Sequence, residues 1–137
     1  MNTDEMRKED AAMAVQWMTE KIRKTTQDTE LSFPVDWVAE TGLSVFDDEG
    51  KLLAVAILYL EKSSPVAVCG WCIANPSNTP AISHTAISLL MKAMPIYARK
   101  KGAKILLTLF GNRGINDILS RQGFLPGEFN ETKLMIL

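Results

Sequence analysis

The stretch YARKKGAKILLTLFGNRGINDILSRQGF, Tyr97 to Phe124, ends one element and encloses two more. Its basic run before Gly102 reads as the end of a helix. Cations there oppose the helix dipole, and glycine accepts the conformation that stops the helix. Ala103 to Phe110 is short and apolar, a buried strand. Arg113 to Gln122 reads as a short helix stopped by Gly123, and FLPGEFNETKLMIL as a closing turn-and-strand unit. An alternation of strand and helix predicts a crossover and at least one parallel strand pair.

Upstream, AISHTAISLLMKAMPIYARKK is the principal helix, with Thr79 as N-cap and Pro80 at its first position. Pro95 predicts a kink or a break, since an interior proline lacks a donor and clashes with the Met91 carbonyl. VAVCGWCIA (66–74) is a buried strand. KLLAVAILYLE (51–61) is a longer one, apolar on both faces and therefore central. LSVF (43–46) is a strand and DDEG (47–50) a turn. TDEMRKEDAAMAVQWMTEKIRKTT (3–26) reads as a first helix with Met6, Met13, Trp17 and Met18 near one face, Ala14 and Ile22 beside them, and no strand before it. QDTELSFPVDWVAETG (27–42) reads as a loop or a short helical piece around Asp36 to Glu40. The result is one α/β domain, residues 1–137, with a mixed sheet and helices on its faces.

The chain has 137 residues and a formal net charge of -1. That length fits one domain with an adequate core. The charge balance provides no single-sign field for nucleic acid or a membrane surface. The polar N-terminus lacks the apolar core of a secretory signal, and the longest apolar runs are too short to span a bilayer, so the expected location is cytoplasmic.

Tyr97 to Phe124 resembles the closing part of the GNAT-type N-acetyltransferases: a long helix, a basic glycine turn, a strand, an asparagine (Asn112), a short helix and a Gly-Phe pair (Gly123, Phe124). The similarity covers roughly Leu43 to Leu137. It implies that the strands at 66–74 and 103–110 lie parallel and splay apart, and that acetyl-CoA enters the gap. The implied cofactor contacts are Ile73 on the first strand, Ser77, Asn78 and Thr79 in the phosphate-loop position, Ile82, Ser83 and His84 at the helix N-terminus, where free N–H groups and the dipole favour anions, and then Asn112 and Leu119. No metal is implied.

The chain departs from the family pattern in three places. The family loop carries glycines that let the backbone wrap a pyrophosphate. Here no glycine occurs from Trp71 through Lys101, and no Lys or Arg between Lys62 and Lys92. The tyrosine that protonates the leaving thiolate in many members aligns with Leu119, which cannot exchange a proton. No acid lies on strand 66–74, and Glu61 is the nearest candidate base. Losing two charge-assisted loop bonds costs about 3–6 kcal/mol, so the expectation is acetyl-CoA binding of about millimolar order.

Other patterns have bland readings beside them. CGWC has redox spacing, yet it lies inside a strand, where an offset of three puts Cys69 and Cys72 on opposite faces unless Gly70 permits a bulge. Two cysteines and one histidine fall short of a structural zinc set. His84 reads as a surface histidine, Asn112 as a cap for the short helix, and Trp17, Trp37 and Trp71 as core or cleft wall. Two functions remain open: acetyl transfer to an amine on a small molecule or protein, with Glu61 or water as base, or a non-catalytic GNAT-like module that binds a protein partner. The worn loop and short length resemble small bacteriophage proteins of the second kind, which would make the chain virion-associated.

Overall fold

The computed structural model describes residues 1–27, 30, 39–110, 113–126 and 132–137. The elements are β1 (Asn2–Glu5), α1 (Lys8–Thr26), β2 (Gly42–Phe46), β3 (Leu52–Leu60), β4 (Val66–Ala74), α2 (Pro80–Lys100), β5 (Ile105–Leu109), α3 (Arg113–Arg121), β6 (Leu125–Pro126) and β7 (Thr132–Ile136). They build one seven-stranded sheet in the order β1-β2-β3-β4-β5-β7-β6. Every neighbouring pair is antiparallel except β4 and β5. β3 is the most deeply buried strand, because Leu53 to Leu58 are covered from both faces.

One face of the sheet carries α2 and α3. Ala86, Leu90, Met91, Met94 and Ala98 recur at helical spacing on α2 and join Leu58, Leu106, Leu119 and Phe124 in the main core. α1 covers the other face, where Ala11, Ala14 and Trp17 pack on Val55 and Ile57. α2 begins as expected: the Ile82 N–H donates to Thr79 Oγ1 at 3.3 Å, and Pro80 follows the cap. Gly102, at φ +94°, follows its end. Pro95 does not break it. The helix runs through from Pro80 to Lys100, with Met91 and Met94 buried beneath the proline's turn.

The start of the chain corrects the sequence reading. Asn2 to Glu5 form a strand, not a helical turn, pairing antiparallel with Leu43–Phe46. Their side chains are all exposed, so no apolar pattern marks the strand. α1 starts only after Arg7. There the Asp10 carboxylate accepts from the Arg7 backbone N–H at 2.9 Å, from its guanidinium at 2.9 and 3.2 Å, and from Ser44 Oγ at 3.0 Å. Met13 points to solvent at 41% exposure, while Ala11, Ala14, Val15, Trp17 and Met18 form the buried stripe. The short helix expected around Asp36 lies outside the described residues, as does Trp37. Among the described residues, no helix is long and apolar enough to cross a membrane.

Candidate functional site

β4 is one strand with two halves. From Val66 to Cys69 it pairs with β3 on one side and with β5, Ile105 to Thr108, on the other. Beyond Cys69 the ladder to β5 stops, while the ladder to β3 continues to Ala74. Among the described residues, the parallel strands therefore part near Gly70. At the same point the register with β3 shifts: Leu58 opposes Cys69 and Ile57 opposes Trp71, leaving Gly70 as an extra residue. Gly70 is a β-bulge, which re-aims the side chains after it.

The bulge reverses the expected placing of the cysteines. Cys69 and Cys72 both pack on the α2 side, with Ala67 and Ala74, whereas Trp71 and Ile73 pack on the α1 side. Burial pushes the Cys72 thiol up to about 12. It also raises Cys69, mainly by desolvation and further by the neighbouring Cys72. Both thiols therefore stay protonated near neutral pH and are poor nucleophiles.

Two cavities flank the open half of β4. The larger, of about 330 Å³, is walled by Cys72, Ile73, Ala74 and Pro76, by Ile87 of α2 and Ile115 of α3, and by Trp17, Glu20, Lys21 and Lys24 of α1. The smaller, of about 260 Å³, lies between Trp71 to Ile73 and the last turns of α1, against Met18 and Ile22. Cys72, Ile73 and Lys21 border both. Such spaces approach the size of small-ligand sites.

No family model and no curated protein matches the sequence. Solved structures match the fold. An acetyltransferase of the GNAT family from Streptococcus pneumoniae superposes with a TM-score of 0.67 at 13% identity, over 99% of this chain and 98% of that one. The ribosomal-protein-alanine N-acetyltransferase of Brucella melitensis gives 0.64 at 14% identity, over the whole of both chains. The fold is that of the GNAT N-acetyltransferases. A Mycobacterium tuberculosis structure solved in complex with CoA also shares it, at a TM-score of 0.61 and 15% identity over 93% of this chain and 74% of that one.

Within this GNAT fold the expected site residues are dispersed. Ile73 lines both cavities. Ser77, Asn78 and Thr79 form the loop after β4, and Ile82, Ser83 and His84 the first turns of α2, with Ile82 and His84 exposed. Leu119 is fully buried in the main core, so its side chain meets neither cavity. Asn112 lies outside the described residues; Asn116, which sequence reasoning passed over, ties α3 to the end of β5 through the Phe110 carbonyl at 2.7 Å. Glu61 is at the wrong end of the sheet. It follows Leu60, which pairs with Ala67, and its carboxylate accepts from the Ser63 hydroxyl. Ala67 to Gly70 spans about 10 Å of strand, so Glu61 lies at the closed end of the β4–β5 pair and away from the splay.

The loop's polar groups are turned inward. Asn75 and Asn78 side-chain amides donate to the Leu52 and Leu53 carbonyls at 3.0 and 2.8 Å, and Ser77 Oγ donates to Asn75 Oδ1 at 2.9 Å. The backbone amides of Asn75, Ser77, Asn78, Ile82 and Ser83 are also committed. Pro76 and Pro80 have none. Across 75–83, the amides of Thr79 and Ala81, at the N-terminus of a long helix, have no partner among the described residues.

The acid that sequence reasoning sought on the central strands comes instead from α1. Glu20 lines the larger cavity and accepts from Gln16 Nε2 at 3.3 Å. Lys21 and Lys24 stand on the same wall. Amphipathic spacing marks these positions as the polar border of α1, but only the tertiary fold brings that border to the end of β4. Among the described residues, no group of three or more His, Cys, Asp or Glu could hold a metal ion.

Proposed function

We propose that this chain is an acyl-CoA-dependent N-acyltransferase, taking acetyl-CoA as donor and a primary amine as acceptor. The observation that carries the reading is the parting of β4 from β5 at the Gly70 bulge, which leaves strand-edge backbone groups facing a cavity. Such an edge can hydrogen-bond an extended amide-containing arm as a further strand would. The thioester would then lie beside Cys72 and Ile73, and its phosphates at the Thr79 and Ala81 amides. The acceptor enters from the smaller cavity, which shares the Cys72, Ile73 and Lys21 wall.

Transfer needs one proton removed from the amine and one supplied to sulfur. The amine nitrogen forms a bond to the thioester carbonyl carbon; the carbon–sulfur bond breaks and the thiolate leaves. Glu20, directly or through a water, accepts the ammonium proton. With leucine at 119, the thiolate takes its proton from solvent. Much of the rate enhancement then comes from holding the two reactants together. The chain acts in the cytoplasm on this reading.

A second reading is favoured by the inward-turned loop: a GNAT-fold module that binds a protein partner without turnover. Titration calorimetry with CoA, followed by thiol release from acetyl-CoA across a panel of amines, separates the two. Saturable CoA binding and thiol release that Glu20→Gln reduces without loss of binding support the enzyme. Absence of both CoA binding and turnover supports the module.

A further inference from the structure

We propose that the acceptor is a small monoamine with an apolar body, about the size of one aromatic ring, seated in the smaller cavity. This rests on the acyl-CoA reading above and names the substrate class of the same site. Met18 and Ile22 of α1 form one side of that cavity, and Trp71 and Ile73 of β4 the other. The bulge at Gly70 brings these pairs together, because after it Trp71 and Ile73 turn toward α1. Thr25 and Thr26 also line the space, but their hydroxyls donate to the Lys21 and Ile22 carbonyls at 2.9 and 2.8 Å. The wall therefore offers apolar surface and few donors, which suits an apolar guest. Size sets the limit. An apolar cavity of about 150 Å³ holds benzene, and this one, at about 260 Å³, has room for a ring and a short alkyl arm.

Charge narrows the class to monoamines. Among the described residues, the smaller cavity is lined by no Asp or Glu, and its one charged residue is Lys21. Lys21 also borders the larger cavity, where Lys24 and a single acid, Glu20, share the wall. The reacting amine gives its extra proton to Glu20 and attacks as a neutral group, so it brings no lasting charge into the apolar space. A second ammonium on the same acceptor would stay charged. It would lose water against Met18, Ile22 and Trp71, and Lys21 would repel it, with no carboxylate on that lining to offset either cost. Diamines, polyamines and lysine-rich peptides are therefore poor acceptors for this site.

The test measures thiol release from acetyl-CoA with phenethylamine and with hexamethylenediamine, beside calorimetry with CoA alone. The proteins are the wild type, Ile22→Trp, which fills the cavity, and Lys21→Glu, which reverses its charge, each checked for an unchanged unfolding midpoint. The wild type is expected to favour phenethylamine by about tenfold or more in kcat/KM, the scale on which an apolar pocket discriminates. Ile22→Trp should raise the KM for phenethylamine about tenfold and leave CoA affinity unchanged. Lys21→Glu should shift the preference toward the diamine. A wild type that uses the diamine as well as phenethylamine overturns the inference and leaves the acyl-CoA reading intact. A phenethylamine preference that neither variant alters also overturns it, because the acceptor would then sit elsewhere. CoA binding without thiol release from either amine overturns it too, while the cofactor half of the reading stands. A wild type that neither binds CoA nor releases thiol removes the acyl-CoA reading and this inference with it.

Discussion

The two faces of the sheet are built differently. On the α2 and α3 side, 21 buried residues among those described form one continuous core, with Leu90, Met91, Leu106 and Leu119 almost wholly excluded from solvent. On the α1 side, the cluster among the described residues contains six, and both cavities open against that helix. Close packing and ligand space compete for the same volume. Here most of the packing lies on the α2 and α3 side, while the cavities open against α1, the larger one also reaching Ile87 and Ile115 at the edge of the packed face.

The largest effect expected from this contrast is on the packed face. Leu119→Ala should destabilise the domain by about 2–5 kcal/mol, the cost of removing buried methyls and leaving a cavity. Denaturant unfolding measures it; an unchanged midpoint would mean that the packed face is not where stability resides.

The next test is polar and lies where α1 meets β2. Burial would raise the Asp10 carboxyl, but hydrogen bonds from Arg7 and Ser44 outweigh it and hold it below its ordinary 3.8. A depressed carboxylate contributes stability that is present above the unfolded value and lost as pH falls through the folded one. Wild-type stability should therefore decline below about pH 4. Asp10→Asn should cost about 1–3 kcal/mol at neutral pH and flatten that acid limb. The Arg7 guanidinium is half in water and adds little by itself. Equilibrium unfolding across pH 2–7 distinguishes these outcomes.

On the cavity wall the expectation is the reverse. Lys21→Gln/Lys24→Gln should shift stability by no more than about 0.5 kcal/mol, as measured by thermal unfolding. A larger loss would show that the wall of the cavity also carries the fold, and the contrast between the faces would blur.

The smallest effect concerns the cysteines. With both thiols raised by burial, an alkylating reagent at pH 8 should label the folded protein slowly and the unfolded protein at both positions. The linkage follows: stability is complete below the unfolded thiol value near 9.0 and declines as pH rises through the folded ones. Rapid labelling of Cys72 in the folded state would mean that the cavity is wetter than its walls suggest.

The sequence disclosed the elements whose signals are local. Thr79-Pro80 marked the start of α2, Gly102 and Gly123 marked two helix ends, and the two-sided apolar run of β3 marked the sheet's centre. The parallel pair and its splay followed from element order and the resemblance together. Three features were not legible, for distinct reasons. β1 is held by backbone pairing with β2 and exposes Asn2 to Glu5, so it has no hydrophobic period to detect. Pro95 stays helical because the buried Met91 and Met94 hold its turn against the sheet, a tertiary gain that outweighs a local cost. Glu20, Lys21 and Lys24 look like any solvated helix border until the fold sets them opposite the end of β4, and Glu61 looked near only because sequence distance does not reveal which end of a hairpin faces the cleft.

The bulge at Gly70 also changes the arithmetic of the strand. Before it, odd-numbered residues of β4 turn toward α2; after it, even-numbered ones do. Parity switches once, at the extra residue, so a one-residue deletion at Gly70 would make Cys69 and Trp71 direct neighbours in a regular strand, with Trp71 and Ile73 still toward α1 and Cys72 and Ala74 still toward α2. An insertion or deletion elsewhere in β4 would be tolerated only with a compensating one, as reading frames are. A related sequence with a gap opposite Gly70 would therefore keep the same side chains on each face and lose only the bulge at which β4 parts from β5.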